Sequence, residues 1–514
     1  MMRNQTSSQF GRYRIPAIGL SLTLAMGLSA CGGSEDETYT SNTTDRVVQA
    51  TPATIAQESA DNYDNNVNGL ITGNTLKSWI DNWEGNRPSG IDGKLVILQT
   101  GSGEAGYEFI KPNGTNVFTY QASEWDESRS NGVIETRSMV PSGRSMDTFL
   151  AKYGIDPAED MIICAQGTAG AGQSMRAGRC WYMFRYWGTP KEHLAVLNGG
   201  NQWNGEGDNT ALDVSYFAVA GSTPPMNGTA SVKDLPEINF ALQATLEDMM
   251  NVVPSQDANL LGDGVFIWDA RGNNLPTSLD SSGVPADGVD YIAGKKGDSD
   301  EYSPNDDYDF RNYGATQGHP NGALLLAYSN IADGTEGWTF KSKSEIQAYL
   351  NGQPDVDDNQ FVDGTLQGVG AGRAYQEGDT IYTYCETTYR AMVTGFASAA
   401  ILGLPTRFYD GAMYEWHSMA NVVAVSSDGD TILPWDSPWR TDKSEWSMFR
   451  TASDPANVAP RAIVNAYASS ANAIINEDLA YKGITVDDGG DTGTDSDDGG
   501  SSGGGVEMPT NSCG

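Results

Sequence analysis

The chain has 514 residues and a formal net charge of −36, and it contains 5 Cys. This length allows two or three domains, each with an apolar core of its own. The acidity argues against a nucleic-acid partner, because a phosphate backbone needs a basic protein surface.

The first predicted element is a secretory leader at residues 1–31. Arginines precede the apolar run IPAIGLSLTLAMGLSA, and small residues lie just before Cys31, which is the order of a signal peptide. The tetrapeptide LSAC that ends at Cys31 resembles the bacterial lipobox, whose cysteine is lipidated and becomes the mature N-terminus. The alternative is an ordinary signal peptide with a cysteine there by chance. Beyond the leader, no apolar stretch reaches the ~20 residues of a membrane-spanning helix.

We therefore expect the protein to be held on a membrane of the bacterial cell envelope through a lipid on Cys31. Gly32 stands where this class of protein carries an Asp when it stays in the inner membrane. The expected location is the outer membrane, facing the periplasm or the exterior, where disulfides are allowed.

Two polar segments bound the predicted folded part. Residues 32–60 are rich in Ser, Thr and Asp and predict a tether, whereas the acidic, Gly-rich residues 483–514 predict a disordered tail. Between them, a weak internal repeat predicts one domain at 61–225 and a second at 226–425. A C-terminal extension follows at 426–482.

Each copy of the repeat has the same order: a strand, then a strand, loop and helix, then a last strand. In the first copy these are GKLVILQTG (93–101), DMIICAQGTAGAGQSMRAGRCWYMFRYWG (160–188) and LAVLNGGNQW (194–203). In the second they are GVFIWDARG (264–272), DTIYTYCETTYRAMVTGFASAAILG (379–403) and TRFYDGAMYEW (406–416). The strands are continuous apolar runs, which are typical of parallel sheets buried on both faces. The predicted fold class is α/β, with two tandem domains that each have a parallel sheet flanked by helices.

The last predicted helix lies in the extension, at residues 460–481. Pro460 suits its first turn. Its apolar residues share one helical face: Ile463, Val464, Tyr467, Ala471, Ile474 and Ile475. We expect this helix to pack on the second domain.

The ordered motifs resemble those of the tandem rhodanese (sulfurtransferase) family over roughly residues 75–420. FIWDARG is similar to the family's Asp-x-Arg strand, and GHPNGALLLAYSNI (318–331) to its Gly-His-x-x-Gly-Ala segment. YTYCETTYRA is similar to the active-site loop, and FYDGAMYEW to the closing motif. The loop matches neither the Cys-Arg-Lys-Gly-Val-Thr common in thiosulfate enzymes nor the Cys-Gly-Ser-Gly-Val-Thr of mercaptopyruvate enzymes, which leaves the donor open. A long acidic insertion, which includes 297–310, separates the first two motifs.

Cys385 is the candidate nucleophile. It follows an apolar strand and precedes a helix, and in an open α/β sheet this is the edge where ligands bind. Backbone N–H groups of the loop and the helix N-terminus would stabilise a thiolate or persulfide there. Arg390 would add a fixed positive charge. We expect the intervening loop residues to contact the substrate: Glu386, Thr387, Thr388 and Tyr389. The alternative is a buried, unreactive thiol.

Three residues near this loop carry separate expectations. By the resemblance, Arg271 binds the substrate anion or holds the loop, and a surface ion pair with Asp269 is an equally weighted alternative. Glu386 is unexpected, because a carboxylate beside a thiolate raises the thiol pKa. Trp416 is interpreted as a core residue rather than a pocket wall.

The first copy lacks this chemistry, since its strand reads LQTG where the second reads WDARG. Cys164, at the catalytic position or one residue before it, is a weaker candidate. A disulfide between Cys164 and Cys180 suits an oxidising compartment, but sequence spacing does not establish it. Cys513 is interpreted as free or intermolecular.

No metal or cofactor is expected. The chain has 3 His, and no His pair or Cys-x-x-Cys motif suggests zinc. His319 is interpreted as structural. Residues 355–366 have acidic and amide side chains at calcium-loop spacing but lack the Gly and Glu of that motif, so a solvated acidic loop is favoured: Asp355, Asp357, Asn359 and Asp363.

The sequence therefore predicts an extracytoplasmic sulfurtransferase that carries sulfane sulfur as a persulfide on Cys385. Its partners would be a small sulfur donor (thiosulfate, mercaptopyruvate or polysulfide) and a thiol or cyanide acceptor. One alternative is a rhodanese-fold phosphatase or arsenate reductase, which also uses a Cys, a backbone cradle and an Arg. The other is a non-catalytic surface lipoprotein that binds sulfur or chalcogen species, or a partner. The short loop from Cys385 to Arg390 favours sulfur, because the phosphatases of this fold have one residue more.

Overall fold

The computed structural model describes residues 39–40, 46–131, 135–272, 319–420 and 472–484. Cys31 and its leader, the acidic insertion 297–310 and Cys513 lie outside the described residues, as do most of the extension and tail. The predictions made for them stay predictions.

The strands of the first half of the fold (residues 39–242) are short. They are β1 (Tyr39–Thr40), β2 (Arg46–Gln49), β3 (Gly69–Ile71), β4 (Leu95–Gln99), β5 (Phe109–Ile110), β6 (Val117–Gln121), β7 (Glu127–Ser130), β8 (Glu135–Met139), β9 (Met161–Ala165), β10 (Leu194–Leu197), β11 (Phe217–Ala218) and β12 (Glu237–Ile238). Its helices are α1 (Pro52–Ile55), α2 (Gly73–Asp81), α3 (Trp83–Asn86), α4 (Gly143–Tyr153), α5 (Ala171–Tyr186) and α6 (Asn201–Gly205).

The second half (residues 243–420) repeats this plan with fewer elements. Its strands are β13 (Gln243–Ala244), β14 (Val265–Asp269), β15 (Leu324–Leu325), β16 (Ala332–Asp333), β17 (Thr339–Phe340), β18 (Thr380–Tyr384) and β19 (Thr406–Tyr409). Its helices are α7 (Leu246–Val252), α8 (Lys343–Leu350), α9 (Ala391–Phe396), which continues as a π-helix at Ala397–Ile401, and α10 (Ala412–Ala420). Helix α11 (Ala473–Tyr481) follows near the C-terminus.

Each half contains one five-stranded sheet, with the orders β3-β10-β9-β4-β6 and β13-β19-β18-β14-β15. Every neighbouring pair in both sheets is parallel. The two orders correspond strand for strand. The central strands are buried along their whole length in β4, β9 and β10, because helices cover both faces. The predicted fold class, α/β with two parallel sheets flanked by helices, is confirmed.

The two halves meet along the helices that follow their equivalent strands, α5 and α9. Both helices are buried on nearly all sides, which explains their lack of a polar face. A Cβ added at Gly178 would lie 2.7 Å from the carbonyl oxygen of Met392, so glycine allows the two backbones to approach closely. Trp181 packs edge-on against Phe396, with ring centroids 5.3 Å apart. All described residues belong to one compact unit.

Part of the predicted tether is instead folded. In residues 46–60, β2 pairs with β12, and Thr51 caps α1. Ile55 is buried, and the backbone N–H groups of Gln57 and Ser59 donate to the carbonyls of Ala399 and Ile401. The polar composition of residues 46–60 did not predict this structure, because most of the segment is held to the rest of the fold by backbone hydrogen bonds rather than by apolar side chains.

The prediction that the C-terminal helix packs on the second domain (226–425) holds only in part for its described residues. Asn472 donates to Glu247 Oε2 at 2.6 Å and Lys482 to the Leu235 carbonyl at 2.9 Å, whereas the middle of the helix packs on the first half. Asp478 of α11 forms a buried ion pair with Arg129 of the first half, with Nη2 and Oδ1 2.6 Å apart. The hydroxyl of Tyr186 donates to the same carboxylate at 2.6 Å. The ring of Tyr481 lies 6.1 Å from that of Trp187. Apolar spacing identifies a buried face but not the surface that covers it.

Candidate active site around Cys385

Cys385 lies at the carboxyl end of the central strand of the second sheet. The strand TIYTY is β-branched and aromatic, which suits a buried position between two neighbours. It ends at Tyr384, whose carbonyl accepts a hydrogen bond from Ala270 N–H at 2.9 Å. Cys385 is 1% exposed and packs against Ala270 and Ala391, with Tyr328 beside them.

The loop after Cys385 is held by backbone bonds from α10. The N–H groups of Met413 and Tyr414 donate to the carbonyls of Cys385 and Glu386, both at 3.1 Å. The buried Thr388 has φ +68°. Its hydroxyl donates to the Asp410 carbonyl at 2.6 Å, with the Tyr409 carbonyl at 3.2 Å. A β-branched residue with positive φ is a backbone outlier, and such strain is concentrated at functional sites.

The two charged residues of the loop pair with each other. Arg390 Nη2 contacts Glu386 Oε2, and both side chains are about one-fifth exposed, at 20% and 17%. Glu386 therefore balances the charge that the sequence assigned to Arg390. This pairing gives a reason for a carboxylate beside the nucleophile.

Arg271 is fully buried beside this strand. Its Nε lies 2.9 Å from Asp269 Oδ1, and its Nη2 lies 2.6 Å from Asp269 Oδ2. The hydroxyl of Tyr384 donates to the same carboxylate at 2.8 Å. The ion pair with Asp269 exists, but the expectation that it lies on the surface is wrong. It fixes the end of β14 against the residue that precedes Cys385.

The remaining loop residues differ in their surroundings. Thr387 is partly exposed, and its side chain forms no hydrogen bond to the described residues. The hydroxyl of Tyr389 contacts the carboxylate of Asp126 in the first half. Burial raises the pKa of Tyr389, the positive charge of Arg179 opposes this rise, and Asp126 reinforces it. Trp416 is 2% exposed in the apolar cluster with Tyr384, so its interpretation as a core residue is confirmed.

Sequence reasoning missed two residues that fix this loop, Asp410 and Arg179. Asp410 follows β19, and both its side chain and that of Arg179 are fully buried in an ion pair. Arg179 also donates to the carbonyls of Trp125 and Ser138. The sequence signal for this ion pair was Arg179 itself, which lies inside the otherwise apolar helix α5. A charge that is buried in this way needs a partner of opposite charge.

The first half has a glutamine at the position equivalent to Cys385. Thr100 N–H donates to the Ala165 carbonyl at 2.9 Å, which matches the bond from Ala270 to Tyr384. This register makes Gln166 the counterpart of Cys385. Gln166 donates through Nε2 to the carbonyl of Trp338 at 3.1 Å.

Cys164 therefore lies two residues before the position equivalent to Cys385, not at it or one before it. It forms a disulfide with Cys180, and both residues are fully buried. The register also equates Cys164 with Thr383, whose hydroxyl oxygen lies 2.7 Å from that of Thr394. A hydroxyl pair thus joins strand and helix in the second half, where a disulfide joins them in the first.

In the acidic loop at 355–366, the carboxylates of Asp355 and Asp363 accept hydrogen bonds from nearby residues. Asp355 accepts hydrogen bonds from the backbone N–H groups of Asp357 and Asn359 at 2.9 and 2.8 Å, and from the Tyr349 hydroxyl at 2.6 Å. Burial would raise the pKa of Asp355, but these bonds outweigh it and hold the pKa below its ordinary value. Asp363 accepts bonds from Thr365.

The described residues contain neither a metal-binding cluster nor a membrane-spanning helix. No group of three or more His, Cys, Asp or Glu side chains in these ranges could hold a metal ion. No helix within them has the length and apolar character needed to cross a bilayer. His319 Nε2 lies 3.0 Å from Asp257 Oδ2. The other oxygen of this carboxylate, Oδ1, accepts a hydrogen bond from the backbone N–H of Gly322. His319 therefore helps to hold the turn that contains Gly322.

No protein-family model matches the chain, and no curated protein matches it. Solved structures to which it is similar include the Tum1 protein from Saccharomyces cerevisiae, with 16% identity, a TM-score of 0.43, and coverage of 68% of this chain and 95% of that one. The anaerobic ergothioneine biosynthesis enzyme from Chlorobium limicola has 14% identity, a TM-score of 0.41, and coverage of 68% of each chain. The 3-mercaptopyruvate sulfurtransferase from Leishmania major has 15% identity, a TM-score of 0.36, and coverage of 67% and 73%. The fold described above rests on the chain's own strand pairings.

Proposed function

We propose that the protein is a sulfurtransferase of the rhodanese type, with Cys385 as the residue that carries the transferred sulfur. The observation that carries the proposal is the placement of Cys385, the free cysteine of the described residues, after the central strand of a parallel sheet. The carboxyl edge of such a sheet is where ligands bind. The strained Thr388 three residues later supports the same edge as the functional one.

The transfer has two steps, in which each bond made replaces a bond broken. The Cys385 thiolate attacks the sulfane sulfur of a donor such as thiosulfate, a new S–S bond forms, and sulfite leaves with the electron pair of the broken S–S bond. A thiophilic acceptor then attacks the outer sulfur of the Cys385 persulfide. With cyanide the product is thiocyanate, and the Cys385 thiolate leaves with the electron pair of its S–S bond.

The surroundings of the thiol favour sulfur over phosphate or arsenate. Gripping the equatorial oxygens of a tetrahedral oxyanion requires a guanidinium with free donors. Arg390 has Nη2 bonded to the Glu386 carboxylate, which also offsets the positive charge that an oxyanion would need. A carboxylate at this position also repels a dianionic ester more than a monoanionic or neutral donor. The burial of Cys385 favours a donor as small as thiosulfate or a polysulfide.

The test is cyanide-dependent formation of thiocyanate by the purified full-length chain, with thiosulfate, mercaptopyruvate and polysulfide as donors. Intact mass measured without cyanide should show a gain of one sulfur atom. Cys385→Ser should abolish both signals, because an alcohol does not form a persulfide. The matched control, Cys164→Ser with Cys180→Ser, should retain most activity. Robust aryl-phosphate hydrolysis that Cys385→Ser removes would overturn the proposal in favour of a phosphatase.

The location of the protein is a second part of the proposal. The leader and the LSAC sequence support a lipid on Cys31, with the protein on the outer membrane. Cys31→Ser should release the protein from membranes or leave it as an unprocessed precursor. A mature N-terminus mapped by mass spectrometry to any other residue would contradict the lipid anchor without touching the chemistry of Cys385.

A further inference from the structure

A polar cavity of about 650 Å³ lies at the carboxyl edge of the first sheet, away from Cys385. Its walls follow β3 and β10, which are neighbours, at Thr72 to Asn74 and at Asn198. Residues 339–342 of the second half close its far side. This volume lies within the range of small-molecule sites, and the carboxyl edge of a parallel sheet is where such sites form.

The cavity is held open by bonds between its walls. Phe340 N–H donates to Asn198 Oδ1 at 2.9 Å, and the Tyr63 hydroxyl donates to the Lys341 carbonyl at 2.8 Å. Asp64 accepts hydrogen bonds from Thr72 and from Asn74. The two halves therefore contribute fixed walls, and the cavity exists before any ligand arrives.

An indole ring lies in the wall, and two glycines make room for it. A Cβ added at Gly199 would lie 2.7 Å from Trp203, and one at Gly337 would lie 2.5 Å from it. Both glycines also have positive φ, +83° and +66°. Trp203 is partly exposed and lines the cavity. The close approach of the two glycines holds its ring in one orientation in the wall.

The side-chain amide of Asn204 completes the site. Asn204 is 5% exposed, and its Nδ2 donates to the carbonyls of Asn198, Gly199 and Gly200 at 3.1, 3.4 and 3.0 Å. This fixes the amide and directs Oδ1 towards Gly73, where a Cβ would lie 2.6 Å from it. Asn204 Oδ1 accepts no hydrogen bond from the described residues. A ligand hydroxyl that donates to this oxygen would add a hydrogen bond to an amide already held in place by its own Nδ2 bonds.

The chemistry of the lining identifies the class of ligand. Amides, hydroxyls and three carboxylates line it, and Lys, Arg and His are absent from the lining residues. Such a surface repels anions and accepts hydrogen bonds from hydroxyl groups, while an aromatic face packs against C–H groups. We propose that this cavity binds an uncharged saccharide, with one ring stacked on Trp203 and a hydroxyl donating to Asn204 Oδ1. The first half would then recognise a carbohydrate, independently of chemistry at Cys385.

The experiment is saturation-transfer NMR on the full-length chain with glucose, galactose, maltose and cellobiose, and with spermidine and inorganic phosphate as charged probes. At least one saccharide should show transfer, strongest at its ring C–H protons, with a roughly millimolar dissociation constant. Trp203→Ala should weaken binding by about tenfold or more, as loss of an aromatic contact does. Transfer to spermidine alone, to phosphate alone or to no probe would overturn the proposal.

Gly73→Ala keeps the test decisive if Trp203→Ala fails to fold, because its methyl group would fill the space in front of Asn204 Oδ1. The matched control is Gly172→Ala, also in the first turn of a helix, where the new Cβ meets only the flexible end of Arg176 at 3.3 Å. Gly73→Ala should lose saccharide transfer, and Gly172→Ala should retain it. Equal transfer in these two variants, with both folded by thermal melting, would contradict the site.

Discussion

Thr388 combines a strained backbone with a buried hydroxyl that holds the Cys385 loop to the end of β19. Thr388→Ala removes the hydrogen bond and keeps a side chain at φ +68°. Thr388→Gly removes the same bond but adopts this φ without strain. We expect the glycine variant to be more stable than the alanine variant by about 1 kcal/mol in chemical denaturation. Thr387→Ala, one residue earlier and partly exposed, should change stability by less than about 0.5 kcal/mol. An alanine variant as stable as the glycine variant would show that the loop relaxes.

Glu415 of α10 is a buried acid whose proton makes stability depend on pH. Burial, reinforced by the charge of Asp410, raises its pKa to about 7, although the hydrogen bond that Asn131 Nδ2 donates to the carboxylate lowers it. Between the ordinary value of 4.5 and about 7, the folded state keeps a proton that the unfolded state releases. The free energy of unfolding therefore falls as pH rises through this window.

The isosteric change Glu415→Gln should remove that dependence. At about pH 8 the variant should be more stable than the parent chain by on the order of 1–3 kcal/mol, whereas at about pH 5 the two should differ little. Thermal melting across this pH range gives the measurement. A parent chain whose stability rises between these pH values relative to the variant would reverse the sign and contradict the raised pKa.

At the scale of elements, the two halves join their equivalent strand and helix by different means. The disulfide between Cys164 and Cys180 spans a sequence separation of 16, which corresponds to a stabilisation of ~3 kcal/mol by loop closure. Changing both cysteines to Thr copies the hydroxyl pair of Thr383 and Thr394. This variant should fold, melt lower, and be indifferent to reductant, whereas the parent chain should lose stability in reductant. A variant as stable as the oxidised parent would show that the crosslink contributes nothing.

The strands were predictable from sequence, whereas the ion pair and the disulfide that hold distant parts of the chain together were not. Apolar runs such as LVILQ and MIICA identify buried parallel strands, and their repetition predicted the equivalent sheets. The pairing of Arg179 with Asp410 was not predictable, because the two residues are 231 positions apart and no local pattern links them. The disulfide could not be assigned from sequence for a similar reason, because the number of residues between two cysteines does not determine the distance between them in space. For the candidate site, Cys385 and its loop were predictable from sequence, but the ion pair of Arg390 with Glu386 was not.

At the scale of the whole molecule, the buried ion pair of Arg179 and Asp410 joins the halves beside the candidate active site. Arg179→Met would leave the Asp410 carboxylate buried without its cation, so we expect a loss of about 3–5 kcal/mol in stability. Adding Asp410→Asn should recover part of this loss. The control is the exposed pair of Lys77 and Asp81, where Lys77→Met should leave the stability nearly unchanged. Equal effects of the two single changes would mean that the buried pair does not hold the halves together.

The hydroxyl pair of Thr383 and Thr394 also bears on the redox fate of Cys385. In the first half a disulfide joins the corresponding strand and helix, and among the described residues Cys385 is the only free thiol. Had Thr383 been a cysteine, a resolving thiol would stand two residues from Cys385 on the same strand. It could attack an oxidised or sulfur-loaded Cys385 and close an internal disulfide. With threonine there, the described part of the chain offers no such partner, so a sulfenic acid or persulfide formed on Cys385 would need a thiol from outside the described residues, or another thiophilic acceptor, to resolve it.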